Sequence, residues 1–397
     1  MKLLVTINGP GEAAGWLGPI TDAVARHPEA DMLIDVVVTP CQWASGRETP
    51  VVDGFPGVAH VEKLMPYLGR ALTGRLTDRP SLVLHLGGDP VYALVLSRVL
   101  GTEAWTHGTS ARFRRAFQRF LVPDERTANK LRDRSVEPGR IAVVGQLVTD
   151  SVLSRRRVSP ARNQALTVAF LPGSRDSHVG ALAPYYTAVA QFVADRARDV
   201  RFVMLASRFV GQDVVVSKLA SAGWVPASPG DDITLARAGM VMTVKQGGVE
   251  ELDGVDVAVT LPGTNTLQLA ALGVPHVAIV PGHRSELIPL PGLLGLINSW
   301  GGAPVRRAIL KHVSRRLPYL AIPNIIADEL VVPEFRGTGG PDEFLPSDVA
   351  EEVVALLGDP GRRRAIGERL RAIAGPGGAG DRCVQLLDRW QQRAILS

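Results

Sequence analysis

Two cysteines in 397 residues, Cys41 and Cys383, are too few and too far apart for a disulfide scaffold or a metal-ligand spacing. That scarcity fits a reducing compartment, and a cytoplasmic location is the expectation. No apolar run approaches the roughly 18 uninterrupted residues that a membrane-spanning helix needs. The opening Met-Lys-Leu-Leu-Val-Thr-Ile has one charge and a short apolar run before Asn-Gly-Pro-Gly, and it reads as a first strand, not a signal peptide. Glycine and proline are plentiful but spread out, which excludes collagen-like and disordered classes. The formal charge of +5 permits an anionic partner, such as a nucleotide, nucleic acid or acidic membrane. No helix-turn-helix, zinc-finger or RNA-binding signature accompanies the charge, so nucleic acid is set aside. Asp231, Asp232, Asp253 and Asp256 have no His or Cys companion. They read as solvated loop acids, and no metal is expected.

What is present is strand–helix alternation, carried through a chain long enough for two domains. In the first half, strands are expected at 3–7, 33–39, 81–86, 119–122 and 141–144, with helices at 17–25, 65–73, 90–99 and 124–132. A basic, proline-interrupted stretch at 155–163 is the natural linker. The alternation then restarts with strands at 166–171, 200–206, 240–244 and 255–260, and three helices close the chain. The fold class expected is α/β, with two Rossmann-like domains facing a central cleft. Their bounds are 1–160 and 161–375, and packing of a last helix, 376–397, back on the first domain is one option. Ligands then belong at the carboxyl ends of the strands.

The stretch around which the rest is organised runs from Val255 to Val280. A β-branched strand leads through Leu261-Pro-Gly-Thr-Asn-Thr into a helix with Thr264 or Asn265 as N-cap. Gly273 ends that helix, and His276-Val-Ala-Ile-Val is the next strand. Helix N-termini attract anions because free N–H groups and the macrodipole both point outward. Gly263, Thr264, Asn265, Thr266 and Gln268 are therefore candidate nucleotide contacts, against the alternative of an ordinary strand–helix turn. A second turn, Phe170-Leu-Pro-Gly-Ser-Arg, follows the first strand of the second half. Ser174 and Arg175 there suit a diphosphate, the hydroxyl positioning it and the guanidinium pairing with its charge.

Asn8-Gly-Pro-Gly-Glu-Ala-Ala-Gly-Trp lacks both the dinucleotide glycine spacing and a P-loop lysine. Gly11 permits close backbone approach. Glu12 is either a polar group of the ligand site or a first-turn helix acid. Asp89 follows a buried strand and two glycines and precedes Pro90. It reads equally as a helix N-cap and as a general base for a hydroxyl. Asn324 and Glu334 flank a short apolar segment where ribose or base contacts would fit. Leu64, Met65, Leu68 and Leu72 form an apolar stripe beside Lys63, Arg70 and Arg75, suited to an anionic membrane surface or to the protein's own core. The 287–324 stretch, with Arg306, Arg307, Lys311, Arg315 and Arg316, allows the same two readings.

Taken in order, Gly-Glu-x-x-Gly, Phe170-Leu-Pro-Gly-Ser-Arg, Pro262-Gly-Thr-Asn-Thr-Leu and Pro323-Asn-Ile-Ile…Val-Pro-Glu resemble the lipid-A-disaccharide synthase family. The resemblance covers most of the chain. It implies a GT-B glycosyltransferase that uses a UDP-sugar donor and a glycolipid acceptor without a cofactor, peripheral to the inner face of the cell membrane. It also implies Asp89 as the base, Ser174 and Arg175 on the diphosphate, and Thr264, Asn265 and Thr266 along the UDP. Asn324 and Glu334 would lie in the donor site, and the 64–72 stripe would seek the membrane. Three departures mark a diverged relative. Ala14 and Trp16 stand where the family has Ser and Asp, Gln268 replaces a Glu, and residues 106–112 replace an aromatic Trp-Ala-Trp-Arg segment. A UDP-sugar epimerase and a non-catalytic UDP-sugar- or lipid-binding protein remain the alternatives on the same fold.

Overall fold

The computed structural model describes residues 1–41, 45–108, 110–156, 165–228, 232–280, 317–337 and 344–396. Most of the basic linker and the 287–316 part of the second lipid-suited stretch, including its Arg and Lys residues, lie outside the described residues, as does Asp231. The chain divides into two compact units, 1–154 with 375–397, and 155–374.

The first unit is built on β1 (Lys2–Ile7), β2 (Leu33–Val38), β3 (Val58–Lys63), β4 (Leu82–His85), β5 (Glu103–His107), β6 (Arg119–Val122) and β7 (Ile141–Val143). All pair in parallel, in the order β3-β2-β1-β4-β5-β6-β7. β1 is buried from Leu3 to Ile7 because a central parallel strand is covered on both faces. The first crossover helix starts at Pro10, well before the expected residue 17. A π turn, Ala13–Leu17, lies between its helical parts Pro10–Glu12 and Gly18–Arg26. β3 and β5 were not expected. β3 is a half-exposed edge strand of mixed polarity, and β5 is only five residues long.

The last helix, Ala379–Leu396, belongs to this first unit and packs on Gly18–Arg26. Gly380 makes the contact possible, since a Cβ there would come within 2.5 Å of the Pro19 carbonyl oxygen. The buried Asp150 carboxylate accepts from the N–H groups of Gly378 and Gly380, both at 2.7 Å, and so fixes the turn into that helix. Burial outweighs these bonds and raises the pKa of Asp150 above its ordinary value. Asp381 pairs with Arg26 at 2.8 Å and with His27 at 3.2 Å.

The second unit holds β8 (Leu166–Leu171), β9 (Val200–Ser207), β10 (Val225–Ser228), β11 (Ile233–Arg237), β12 (Met240–Gly247), β13 (Val257–Thr260), β14 (His276–Val280) and β15 (Glu334–Arg336). Their order is β10-β11-β12-β9-β8-β13-β14-β15. From β12 to β15 the pairs are parallel, while β10, β11 and β12 form an antiparallel edge. Helices Asp176–Ala194 and Pro346–Gly358 supply much of the core against β8, β9 and β13. Two of the loop acids read from the sequence serve structure. Asp253 pairs with Arg156 at 2.9 Å, and Asp256 accepts from the Thr167 N–H at 2.9 Å.

His27 gives a pH test of the packing of the last helix. Its hydrogen bond with Glu29, with Asp381 adding a lesser effect, raises its pKa above the ordinary 6.5 against the opposing cost of burial. The stabilisation is fully present below about pH 6.5 and is lost as pH rises through the raised folded-state value. The melting temperature should therefore fall on going from mildly acidic to mildly alkaline buffer. His27→Gln should remove that part of the slope, as measured by differential scanning calorimetry.

Candidate active site

In an open parallel sheet, ligands collect where the strand order reverses, because loops leaving neighbouring strands diverge there. In the first unit that point lies between β1 and β4, whose ends meet at the Thr6–His85 pair. The segments beyond them carry Gly11 and Glu12, in the first helical turn, on one side and Gly87, Gly88 and Asp89 on the other. They pack too tightly for side chains. A Cβ on Gly87 would lie 2.5 Å from Glu12 Cγ, and one on Gly88, at φ +88°, would lie 2.5 Å from Thr39 Oγ1. Glu12 and Asp89 are thus brought to one edge by the two glycines between them.

Asp89 plays the capping role and keeps solvent access as well. Val91 N–H donates to its Oδ1 at 3.0 Å, and Arg112 Nη1 donates to Oδ2 at 3.0 Å, with the carboxylate side chain 35% exposed. His85 supports the turn from below. Its Nδ1 is 2.9 Å from the Thr106 hydroxyl and its Nε2 is 3.2 Å from the Gly88 carbonyl. A proton on Nε2 satisfies both, and desolvation lowers the pKa, which keeps the ring neutral. At the end of β5, burial and the neighbouring His85 push the pKa of His107 down to about 4. Its ring lies 5.2 Å from that of Trp16, which projects from the π turn.

In the second unit the reversal lies between β8 and β13, paired at Leu171 and Thr260. Both strands lead at once into helix N-termini, Asp176–Ala194 and Thr264–Leu272. Ser174, Arg175, Gly263, Thr264 and Asn265 are all half-buried at this edge. Gly263 is the N-cap, at φ 139° and ψ −161°, a conformation that only glycine enters cheaply. The helix therefore begins at Thr264, which does not cap it. Two adjacent helix N-termini with a hydroxyl and a guanidinium form a ready anion site. His178 lies under the first turn, held at a pKa of about 4 by burial and by Arg175.

The other expected contacts turn inward. Thr266 Oγ1 donates to the Gly263 carbonyl at 2.7 Å and accepts from Ile322 N–H at 3.1 Å. Gln268 is buried on the same helix. Asn324 is fully buried, and its amide is fully used. Nδ2 donates to the Val332 carbonyl and Glu334 Oε1, and Oδ1 accepts from Val331 and Val332, each at 2.9 Å. Glu334 accepts from the Leu320 and Ala321 N–H groups and from Arg336. Asn324 and Glu334, expected as donor contacts, use these polar atoms within the 320–336 segment, which Thr266 ties to the Thr264 helix.

The membrane stripe also divides. Leu64 and Leu68 pack into the first unit's core, while Met65 and Leu72 stand 69% and 66% exposed. Three charged residues at these edges were given no role in the sequence reading. Arg112 reaches Asp89, and Arg208, just past the end of β9, pairs with the buried Glu250. The rule that selected Ser174, position just after a strand, would have found Arg208 as well. Among the described residues, no three His, Cys, Asp or Glu side chains gather in a group that could hold a metal ion.

No protein-family model matches the chain. It is 28% identical over 411 residues to the lipid-A-disaccharide synthase of Geobacter sulfurreducens, covering 95% of this chain and 94% of that protein. The chain is a diverged relative of the lipid-A-disaccharide synthases. The match to the Syntrophus aciditrophicus lipid-A-disaccharide synthase is 27% identical and spans 54% of this chain but only 46% of that protein. Among solved structures, S. aureus MnaA with UDP superposes with a TM-score of 0.59 at 12% identity, covering 99% of this chain and 97% of that one. The UDP-GlcNAc 2-epimerase from Neisseria meningitidis bound to UDP-GlcNAc gives 0.54 at 12%, covering 98% and 99%. Acinetobacter baumannii MurG gives 0.53 at 13%, also covering 98% and 99%. At these identities the likeness is one of fold, a GT-B arrangement of two Rossmann-like α/β units.

The inward-facing network gives a direct test. Glu334→Ala leaves buried N–H groups and Arg336 without their acceptor, and it should cost on the order of 3 kcal/mol in urea unfolding. A residue whose main role is to touch a ligand would lose binding with little change in stability.

Proposed function

We propose that this chain is a glycosyltransferase of the lipid-A-disaccharide synthase type, moving a sugar from a UDP-sugar to a hydroxyl of a lipid or glycolipid acceptor. The observation that carries the reading is the pair of helix N-termini at Ser174–Arg175 and Gly263–Asn265, set side by side at the reversal point of the second unit. A diphosphate there would receive amide N–H groups, a hydroxyl and a guanidinium, and the same groups would stabilise the charge that develops on the leaving UDP. UDP-bound proteins of the same fold support that choice of donor, and the names of the sequence relatives support a glycolipid acceptor.

Asp89 is the group proposed to take the acceptor proton. Its carboxylate keeps solvent access at the end of the Gly87–Gly88 turn that packs on Glu12, and His85 holds that turn from beneath. Attack of the freed oxygen on the anomeric carbon as UDP departs is a single displacement, so the configuration inverts. The exposed Met65 and Leu72, with Lys63 and Arg75 nearby in sequence, fit a peripheral contact with an acidic membrane face. No helix among the described residues is long and apolar enough to cross a membrane.

The test is release of UDP from a panel of UDP-sugars, with and without bacterial lipid extract. Lipid-dependent release is expected. Asp89→Asn should lower kcat by roughly 10²–10⁴-fold, with UDP affinity unchanged by calorimetry. Arg175→Ala should instead weaken UDP binding by about tenfold or more. Turnover of UDP-GlcNAc alone, with no lipid, would replace this reading with an epimerase. Tight UDP binding without turnover would leave a binding protein.

A further inference from the structure

β5 ends in a buried histidine whose polar atoms are unspent. His107 is 7% exposed, and among the described residues neither of its ring nitrogens has a hydrogen-bond partner. His85 on the neighbouring strand shows the usual arrangement, with one nitrogen on the Thr106 hydroxyl and the other on the Gly88 carbonyl. A buried polar atom without a partner costs stability, so two on one ring call for a reason. Trp16 covers that ring, the two centres 5.2 Å apart and the planes 59° to each other. It stands in the π turn, where the Gly18 N–H donates to the Ala13 carbonyl, and π turns inside helices recur at functional sites. Trp16 is half-buried between the buried Gly15 and Leu17, so part of its indole keeps an open surface. Among the described residues, a Cβ on Gly108 would meet nothing within 4 Å, which leaves space just past the strand end.

The chemistry of the two side chains narrows what they can hold. Burial, with a lesser effect of His85, keeps the imidazole neutral, at a pKa of about 4. A neutral ring offers one donor and one acceptor. A phosphate or carboxylate would be desolvated against a ring that brings it no charge. A metal ion is another frequent partner of neutral imidazole, but among the described residues no further ligands gather around this one. Hydroxyls both donate and accept, and an indole suits a flat apolar face. A sugar ring carries both, with C–H groups on its faces and hydroxyls at its rim. We propose that Trp16 and His107 form a binding site for an uncharged sugar ring. The indole turns off the imidazole to stack on the sugar, and the entering hydroxyls meet the two ring nitrogens. The site is this chain's own, since position 16 is one of its departures from the family pattern. β5 pairs with β4, whose end leads to Asp89. That the sugar belongs to the acceptor rests on the glycosyltransferase reading, and the binding itself does not.

The experiment titrates the full chain, labelled with nitrogen-15, with the methyl glycosides of glucose, galactose, mannose and N-acetylglucosamine, and with glucose 1-phosphate. Histidine ring signals are followed by NMR, and His107→Leu identifies those of His107 by their loss. At least one neutral glycoside should shift them saturably, and glucose 1-phosphate should bind at least about tenfold more weakly. Trp16→Ala should weaken glycoside binding about tenfold. His107→Leu, followed by tryptophan fluorescence, should weaken it roughly fivefold, the worth of one hydrogen bond, and His107→Gln, which keeps a donor and an acceptor, should recover most of the loss. The melting temperature of His107→Leu should not fall, because the substitution removes two buried polar atoms that lack partners. Silence of the His107 signals with every neutral glycoside overturns the assignment. So does equal affinity for glucose 1-phosphate, or wild-type affinity in either Trp16→Ala or His107→Leu. UDP is titrated into the same samples. If UDP fails to bind while the glycoside shifts hold, the donor reading falls and the sugar site stands; UDP binding with silent His107 signals removes the sugar site alone.

Discussion

Everything at the candidate site depends on a constraint of parallel sheets. A chain that starts in the middle of a sheet and fills one side before the other must leave a gap at the carboxyl edge where it turns back. Both units do this, between β1 and β4 in the first and between β8 and β13 in the second. The second unit uses the gap for two helix N-termini, whose unpaired N–H groups are an obligatory result of helix geometry. The first unit uses it differently. Its first helix, from Pro10, is wound wide at Ala13–Leu17, and the two loops close on each other through Gly87 and Gly88. One edge thus presents two helix N-termini, and the other is a tight carboxylate-bearing turn.

The rigidity of the second edge comes from residues that do not face it. Thr266, Asn324 and Glu334 tie the segment after Leu317 to the Thr264 helix, and their hydrogen bonds are made deep enough to be shielded from water. A carboxylate taken so far from solvent must be met by donors on nearly every lone pair, and Glu334 is. A residue saturated in this way has little left to offer a ligand, yet the position of everything above it depends on it.

Much of this was legible in the sequence. Glycine-punctuated strands with helices behind them set the two-unit fold, and the turns at Ser174 and Gly263 stand out because polar residues follow buried runs. Direction was not legible. Thr264 and Thr266 differ by two positions, which on a helix places one at the accessible edge and the other against Ile322. The stripe at Leu64, Met65, Leu68 and Leu72 has the right spacing for one face, but the core claims Leu64 and Leu68 and leaves the other two outside. β3 and β5 escaped notice for another reason. An edge strand such as β3 alternates too weakly to be seen, and β5 packs Trp105, Thr106 and His107 into a span as short as a turn. His107 and Arg112 were hidden with it.

The departures from the lipid-A-disaccharide synthase pattern have a common physical sense. At position 16, where the resemblance implies an acid, an indole stands against His107, which is buried and neutral down to acidic pH. A carboxylate in that place would lose water and gain no cation, whereas Trp16 gains ring contact. At position 268, where the resemblance implies a glutamate, Gln268 lies on the buried face of its helix, and there a neutral amide costs far less to desolvate than an ion. Meanwhile charge stands at the strand ends themselves, in Asp89 with Arg112 and in Glu250 with Arg208. In each of these pairs a carboxylate is matched by an arginine that is itself more than a third exposed. An ion pair of that kind orients its carboxylate while leaving the cation reachable from solvent. Charge thus stands at these strand ends, while the positions of Trp16 and Gln268 carry none.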